Sequence, residues 1–219
     1  MKNIPALDPK VLGLVTEISK EPKVEAAIAF IKDQTEVAML EQIELCEIEA
    51  PTFHEEKRAA SVAERMRQYG LTDVHIDEIG NVIGIRKGSG NGPVLAIGAH
   101  MDSVFPAGTD VKVKKEGNIY RAPGIGDNCS GLRALLQVLR ALEKEDIRTV
   151  GDIWFVGTVG EEGNGDIRGS KHLCANNKLD GFVAIDSTDV GRVLYGAVGS
   201  HRWRLAVDGT GGHSFADFG

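Results

Sequence analysis

The feature that most constrains this chain is a change of hydrophobic period partway along it. Up to Gly70, apolar residues recur at spacings of three and four; beyond it come short β-rich runs separated by glycine turns, and then the two patterns alternate. Val24, Ile28, Ile31, Leu40 and Ile43 predict one amphipathic helix over residues 23–46. Pro51 interrupts, and Thr52 followed by Glu55 has the form of a capping box opening a helix through Ala59, Val62 and Met66 to Gly70. Residues 74–77, 81–86 and 93–97 read as strands, with turns at Gly80-Asn81 and 88–92. Leu132, Leu135, Leu136, Leu139 and Leu142 predict a helix over 132–143. The compact apolar runs 153–156 and 182–185 read as buried parallel strands, with a short helix between them near 169–175. Such alternation predicts an α/β fold, a mostly parallel sheet flanked by helices. Residues 192–197 and 201–207 read instead as an antiparallel pair, the start of a second, smaller domain near residue 190.

A chain of 219 residues can bury one ordinary core. Its net charge of −7 argues against nucleic acid or an anionic membrane as partner. No apolar run reaches the ~20 residues of a membrane span, and the N-terminus does not read as a secretory signal. The three cysteines, Cys46, Cys129 and Cys174, are odd in number and form no Cys-x-x-Cys. They fit free thiols in a reducing compartment, so a cytoplasmic location is expected.

In an open α/β sheet, chemistry collects beyond the carboxyl ends of the strands. His100 and Asp102 follow the 93–97 run, Asp127 opens a helix, Glu161 and Glu162 follow the 153–156 run, and Asp186 ends the last one. Each has an ordinary reading by itself: a surface histidine, a helix N-cap at Asp127, a solvated acidic pair, a turn at Asp186. Together they are a poor arrangement of charge unless a cation holds them, and imidazole with carboxylates suits zinc and similar divalent ions. Asp102, two residues from His100 on extended chain, can orient its ring. Asp127 could bridge two ions ~3.5–4 Å apart.

The stretches Gly98-Ala99-His100-Met101-Asp102, Gly126-Asp127-Asn128, Gly160-Glu161-Glu162-Gly163, Ala184-Ile185-Asp186 and Gly211-Gly212-His213-Ser214 resemble the dizinc metallopeptidases. That family includes aminoacylase, acetylornithine deacetylase, carnosinase and peptidase T. The resemblance covers roughly residues 25–219. It implies two Zn2+, with Co2+ or Mn2+ as possible substitutes. His100 and Asp186 would hold one ion, Glu162 the other, and Asp127 would bridge them. Asp102 would orient His100, and Glu161 would be the general base for the attacking water. His213 would lie on a lid or dimerisation domain, reach the partner subunit's site and stabilise the oxyanion. A cis peptide between Asp127 and Asn128 is also implied, as is a homodimer for the full-length form.

These implications divide the chain into a catalytic metal-binding domain, 1–189, lacking a C-terminal segment, and the start of an α+β lid or dimerisation domain, 190–219. The family's second zinc also takes a histidine from beyond the lid, and no matching segment is present, so the chain reads as the N-terminal portion of such a protein. Asp rather than Glu at position 186 resembles the aminopeptidase and dipeptidase branches. The expected activity is therefore metal-dependent cleavage of small peptides. The alternatives are an N-acyl amino acid deacylase, or an inactive remnant that only binds or dimerises.

Other signals carry less. Glycines 163, 165 and 169 faintly resemble a dinucleotide loop, but Glu161, Glu162 and Asp166 would repel phosphate there. His54-Glu55-Glu56 begins like a zincin helix without its second histidine. Lys112, Lys114 and Lys115 suggest a solvated strand face, Cys46 and Cys129 small core residues; His75, His172 and His201 suggest no partner.

Overall fold

The structure, a computed structural model, describes residues 8–186, 191–199, 201, 203–213 and 215–216. The chain divides into two units, residues 1–188 and 189–219.

The first unit contains helices α1 (Pro9–Ile18), α2 (Pro22–Asp33), α3 (Thr35–Cys46) and α4 (Glu56–Gln68). Strands β1 (Asp73–Ile76), β2 (Val82–Arg86), β3 (Leu95–His100), β4 (Lys114–Glu116) and β5 (Ile119–Arg121) follow. Helix α5 (Cys129–Lys144), β6 (Ile153–Thr158), α6 (Arg168–Asn176) and β7 (Gly181–Ala184) complete it. The central sheet has the order β1-β2-β6-β3-β7. β6, β3 and β7 are parallel neighbours, whereas β2 is antiparallel to both β1 and β6. Four of its five strands thus run one way, giving the mostly parallel sheet expected. β4 and β5 form a separate hairpin.

Strand alternation sends side chains to two faces. On one, Val82, Ala99 and Phe155 pack with Val62 and Met66 of α4 and with Leu132, Leu135, Leu136 and Leu139 of α5. Those four leucines are wholly buried, each contributing about 1.5–3 kcal/mol of apolar burial. On the other, Ile83, Ala96 and Val156 meet Leu173 of α6. Helices α2 and α3 form an outer layer on α5. The largest wholly buried side chain is Arg58, which donates to the carbonyls of Met101 (2.7 Å), Ile48 (2.5 Å) and Cys46 (3.5 Å). It ties the α3–α4 connection to the end of β3.

Several expectations are corrected. Residues 23–46 form two helices that break at Gln34, whose own amide bonds the Phe30 carbonyl while its carbonyl accepts from Ala38. The buried face is Ala27, Ala38, Leu45 and Cys46 with Glu41 and Gln42, and Leu40 is exposed. The Glu41 carboxylate meets Tyr69 and Gln137, which lets a polar face be buried. The capping box does not form: α4 is preceded by Glu55 with no side-chain cap, because Thr52 and Glu55 bond elsewhere. Helix α1 escaped the reading although Asp8 caps it (Oδ1 accepts from Lys10 N, 2.9 Å) and Pro9 opens it. β7 is parallel but an edge strand, half-buried to exposed, since β3 covers one side only. His172 Nε2 lies 2.9 Å from Glu78, and His75 lies 3.6 Å from Asp73.

In the second unit, the described residues form no strand where 192–197 and 201–207 were expected to pair. Val193, Leu194, Trp203, Leu205 and Val207 are exposed, so no packed face supports a ladder there.

Candidate active site

The parallel register brings the candidate residues together. β3 ends at His100 opposite Thr158 at the end of β6, and Gly98 pairs with Ala184. Two residues on from that pair, Asp186 comes level with His100, held by Ile185 N donating to Gly98 O at 2.7 Å. Helix α5 begins just after Asp127. Its N-cap is Asn128, not Asp127: Asn128 Oδ1 accepts from Gly131 N at 3.0 Å, and its Nδ2 donates to Ile185 O at 2.8 Å. The Asp127 carboxylate is thereby left for the site, 65% exposed. The Asp127–Asn128 peptide bond is cis.

His100 is nearly sealed, with 3% side-chain exposure. Its Nδ1 lies 3.0 Å from the Asp102 carbonyl and 3.5 Å from the Asp102 carboxylate. A carbonyl only accepts, so Nδ1 carries a proton, and the ring atom left to meet a cation, once deprotonated, is Nε2. That atom lies 2.9 Å from Asp127 Oδ1 and 3.9 Å from Asp186 Oδ1. Two groups gather ligand atoms within 4.8 Å of one another: His100, Glu161 and Asp186, and His100, Asp127 and Glu162. Ligands bonded to one ion at about 2.0–2.2 Å lie up to ~4.4 Å apart, so this donor set fits a divalent cation after slight contraction. The adjacent glutamates sort into different groups.

Electrostatics record the crowding. Burial alone would hold the His100 pKa down, but Asp102, with Asp186 and Glu161, outweighs it and pushes it up to about 9. Burial raises the Glu161 pKa, and the charges of Asp186, Asp102 and Asp127 add to it against His100. Glu162 is raised by burial and by Asp127. Asp102 behaves oppositely: burial opposes its charge, yet His100 and the Glu161, Glu162 and Thr52 donors lower it to about 2.

Asp102 has 0% side-chain exposure and does more than face His100. Its Oδ1 accepts from Glu161 N (2.9 Å), and its Oδ2 from Glu162 N (3.0 Å) and Thr52 Oγ1 (2.9 Å). Thr52 is the residue sequence reasoning misplaced: its hydroxyl supports Asp102 rather than a helix end. The pairing of Pro51 with Ser103 brings the two segments side by side. Arg58 and Glu55 were likewise missed, and only their burial distinguishes them.

His213 lies in the second unit, exposed, with Nδ1 accepting from Phe215 N at 3.2 Å. Cys46 and Cys129 are buried in the core, and Cys174 is exposed. Hydrogen bonding to Cys129 together with burial raises the Cys46 thiol above its ordinary range.

Residues 96–200 match the model of peptidase family M20/M25/M40. Aminopeptidase PepT from Bacillus cereus superposes with a TM-score of 0.59 at 25% identity, over 69% of this chain and 43% of that one. A tripeptidase from Staphylococcus aureus gives 0.58 at 31% identity, over 70% and 44%. A proposed LysW-lysine/LysW-ornithine hydrolase of Pyrococcus abyssi is 35% identical over 120 residues, 55% of this chain and 32% of that protein. Over residues 96–200 the chain is therefore similar to the M20/M25/M40 peptidases, and its α/β architecture matches that of the aminopeptidase and the tripeptidase. The matches span about a third to less than half the length of these three relatives. Among the described residues no helix is long and apolar enough to cross a membrane.

Proposed function

We propose that this chain is the metal-binding part of a hydrolase that cleaves amide bonds of small peptides, of exopeptidase or dipeptidase type. The observation that carries this reading is the convergence of His100, Asp127, Glu161, Glu162 and Asp186 from separate strand and helix ends, with His100 Nδ1 turned to the Asp102 carbonyl so that Nε2 would be the ligand atom. His100 and Asp186 would hold one divalent cation, Glu162 a second, and Asp127 would stand between them. Bound there, the cations would polarise the substrate carbonyl and acidify water toward a pKa of about 7.

Glu161 then has the task of a base. Burial and neighbouring carboxylates raise its pKa, which suits accepting a proton from the attacking water and returning it to the leaving nitrogen. Asp102 holds Glu161 and Glu162 by their amides, so the base and its ligand neighbour keep fixed directions. His213 would supply a donor to the oxyanion in a homodimer of the full-length protein.

The test is metal content together with a substrate panel. Protein purified without chelator should hold close to two divalent ions per chain. It should hydrolyse unblocked di- and tripeptides, with Glu161→Ala abolishing turnover while the metal stays. Near-zero metal would sink the reading. Hydrolysis confined to N-acylated amino acids would favour a deacylase, the reading to which the LysW-lysine hydrolase relative leans.

A further inference from the structure

The geometry points to Glu55 and Arg168 as positioning residues for Glu161, an inference that rests on the reading of Glu161 as the base. Glu55 stands where α4 begins, is buried, and does not cap the helix. Its Oε1 accepts from Gly160 N (3.0 Å) and Arg168 Nη1 (3.1 Å), and its Oε2 accepts from Arg168 Nη2 (3.1 Å). Arg168 also donates its backbone N–H to Gly160 O at 3.2 Å. Its side chain lies over the Cα of Gly160, where a Cβ would overlap the guanidinium. The Phe53 ring also lies against the guanidinium, its centroid 4.8 Å from the guanidinium carbon.

Gly160 is therefore held at its N–H, its carbonyl and its Cα at once. It has φ +59, a left-handed conformation that other residues resist. The next two amides, of Glu161 and Glu162, donate to Asp102. Three consecutive N–H groups are thus fixed by two buried carboxylates, Glu55 before the base and Asp102 at and after it. The pair is more than an ordinary ion pair. A bidentate guanidinium–carboxylate contact alone can be close to neutral for stability, since desolvation cancels attraction. Here the same carboxylate oxygen is shared with the backbone one residue from Glu161, so releasing it lets the base swing.

Arg168→Met, Arg168→Lys and Glu55→Gln, made in the full chain, test this by two readouts. In the metal-free protein, amide exchange at 160–162 should quicken about tenfold in Arg168→Met, the scale of one lost charge-assisted hydrogen bond, while β3 and β6 stay protected. In the Zn2+-loaded protein, kcat on the peptide panel should fall about 100-fold, the scale of a small misplacement, with KM little changed. Arg168→Lys, which keeps one charged donor, should recover part of both effects. Glu55→Gln should quicken exchange less than Arg168→Met, because its amide oxygen still accepts from Gly160. Unchanged exchange at 160–162, or loss of protection across the whole sheet, would overturn the assignment. Quickened local exchange in the variants with no hydrolysis by the unmutated protein would sink the functional reading instead and leave the clamp standing.

Discussion

The carboxylate of Asp102 accepts the backbone N–H of Glu161 at 2.9 Å, although the two residues are far apart in the chain. Through the same carboxylate and its own carbonyl, Asp102 also meets Glu162 and the ring of His100. One wholly buried acid thus sets the direction of an imidazole and of the acidic pair that faces it. A buried carboxylate is costly unless its oxygens are satisfied, and here three donors, Glu161 N, Glu162 N and Thr52 Oγ1, satisfy it.

Asp102→Asn should lower divalent-metal affinity and kcat by about 10–100-fold, the usual effect of losing a group that orients a ligand. The amide nitrogen of asparagine would confront a backbone N–H, so one of the Glu161 or Glu162 contacts must break. Chelator competition and steady-state rates measure the two effects. Equal behaviour of variant and unmutated chain would show that His100 is oriented by the Asp102 carbonyl alone.

Removing metal should destabilise the protein. A ligand at 100 times its Kd stabilises by about 2.7 kcal/mol, so the melting temperature should rise on adding Zn2+ or Co2+ and fall again with chelator. Asp127→Asn should blunt the rise, because Asp127 faces His100 in one of the two candidate groups.

The metal-free protein should lose stability as pH rises from about 6.5 toward 9. His100 is raised from 6.5 to about 9, so its protonated form favours the folded state. That contribution is complete below the unfolded pKa and disappears as pH climbs through the folded one. Denaturant midpoints across this range measure it, and His100→Gln should flatten the slope. Asp102, lowered to about 2, acts at the other end: its contribution is present above about 4 and is lost as pH falls toward 2.

Gly131→Ala should destabilise the fold by about 1–3 kcal/mol, as overpacking does. A Cβ there would overlap the Asn128 side chain and the Ile185 carbonyl. Because Asp186 follows Ile185, the variant should also weaken metal binding. Thermal melts with and without chelator separate the two losses.

A thiol reagent should label one cysteine in the native chain, Cys174, and three after unfolding. Fast native labelling of Cys46 or Cys129 would contradict their burial.

Much of this was legible in the sequence because period and strand ends are local properties. The leucines of α5, the runs of β3 and β6, and the acids after them could be read directly, and the sheet then aligned them. What was hidden depends on contacts between distant residues. Thr52 and Glu55 fit a local capping pattern, and nothing nearby shows that Asp102 and Arg168 attract them instead. The break at Gln34 has no proline or glycine to announce it. Asp127 looked like the natural cap of α5, and only the three-dimensional position of Ile185 makes Asn128 the better one.

That shift by a single residue has an electrostatic consequence. Helix α5 has 16 residues, and its aligned peptide dipoles leave roughly half a positive charge at the N-terminus. Asp127 stands immediately before that end, so a fixed positive field from the backbone bears on the carboxylate proposed to bridge two cations. The field eases the repulsion among the acids when no ion is bound, and it opposes the ions when they arrive. The helix would thereby moderate how tightly any cation is held at Asp127.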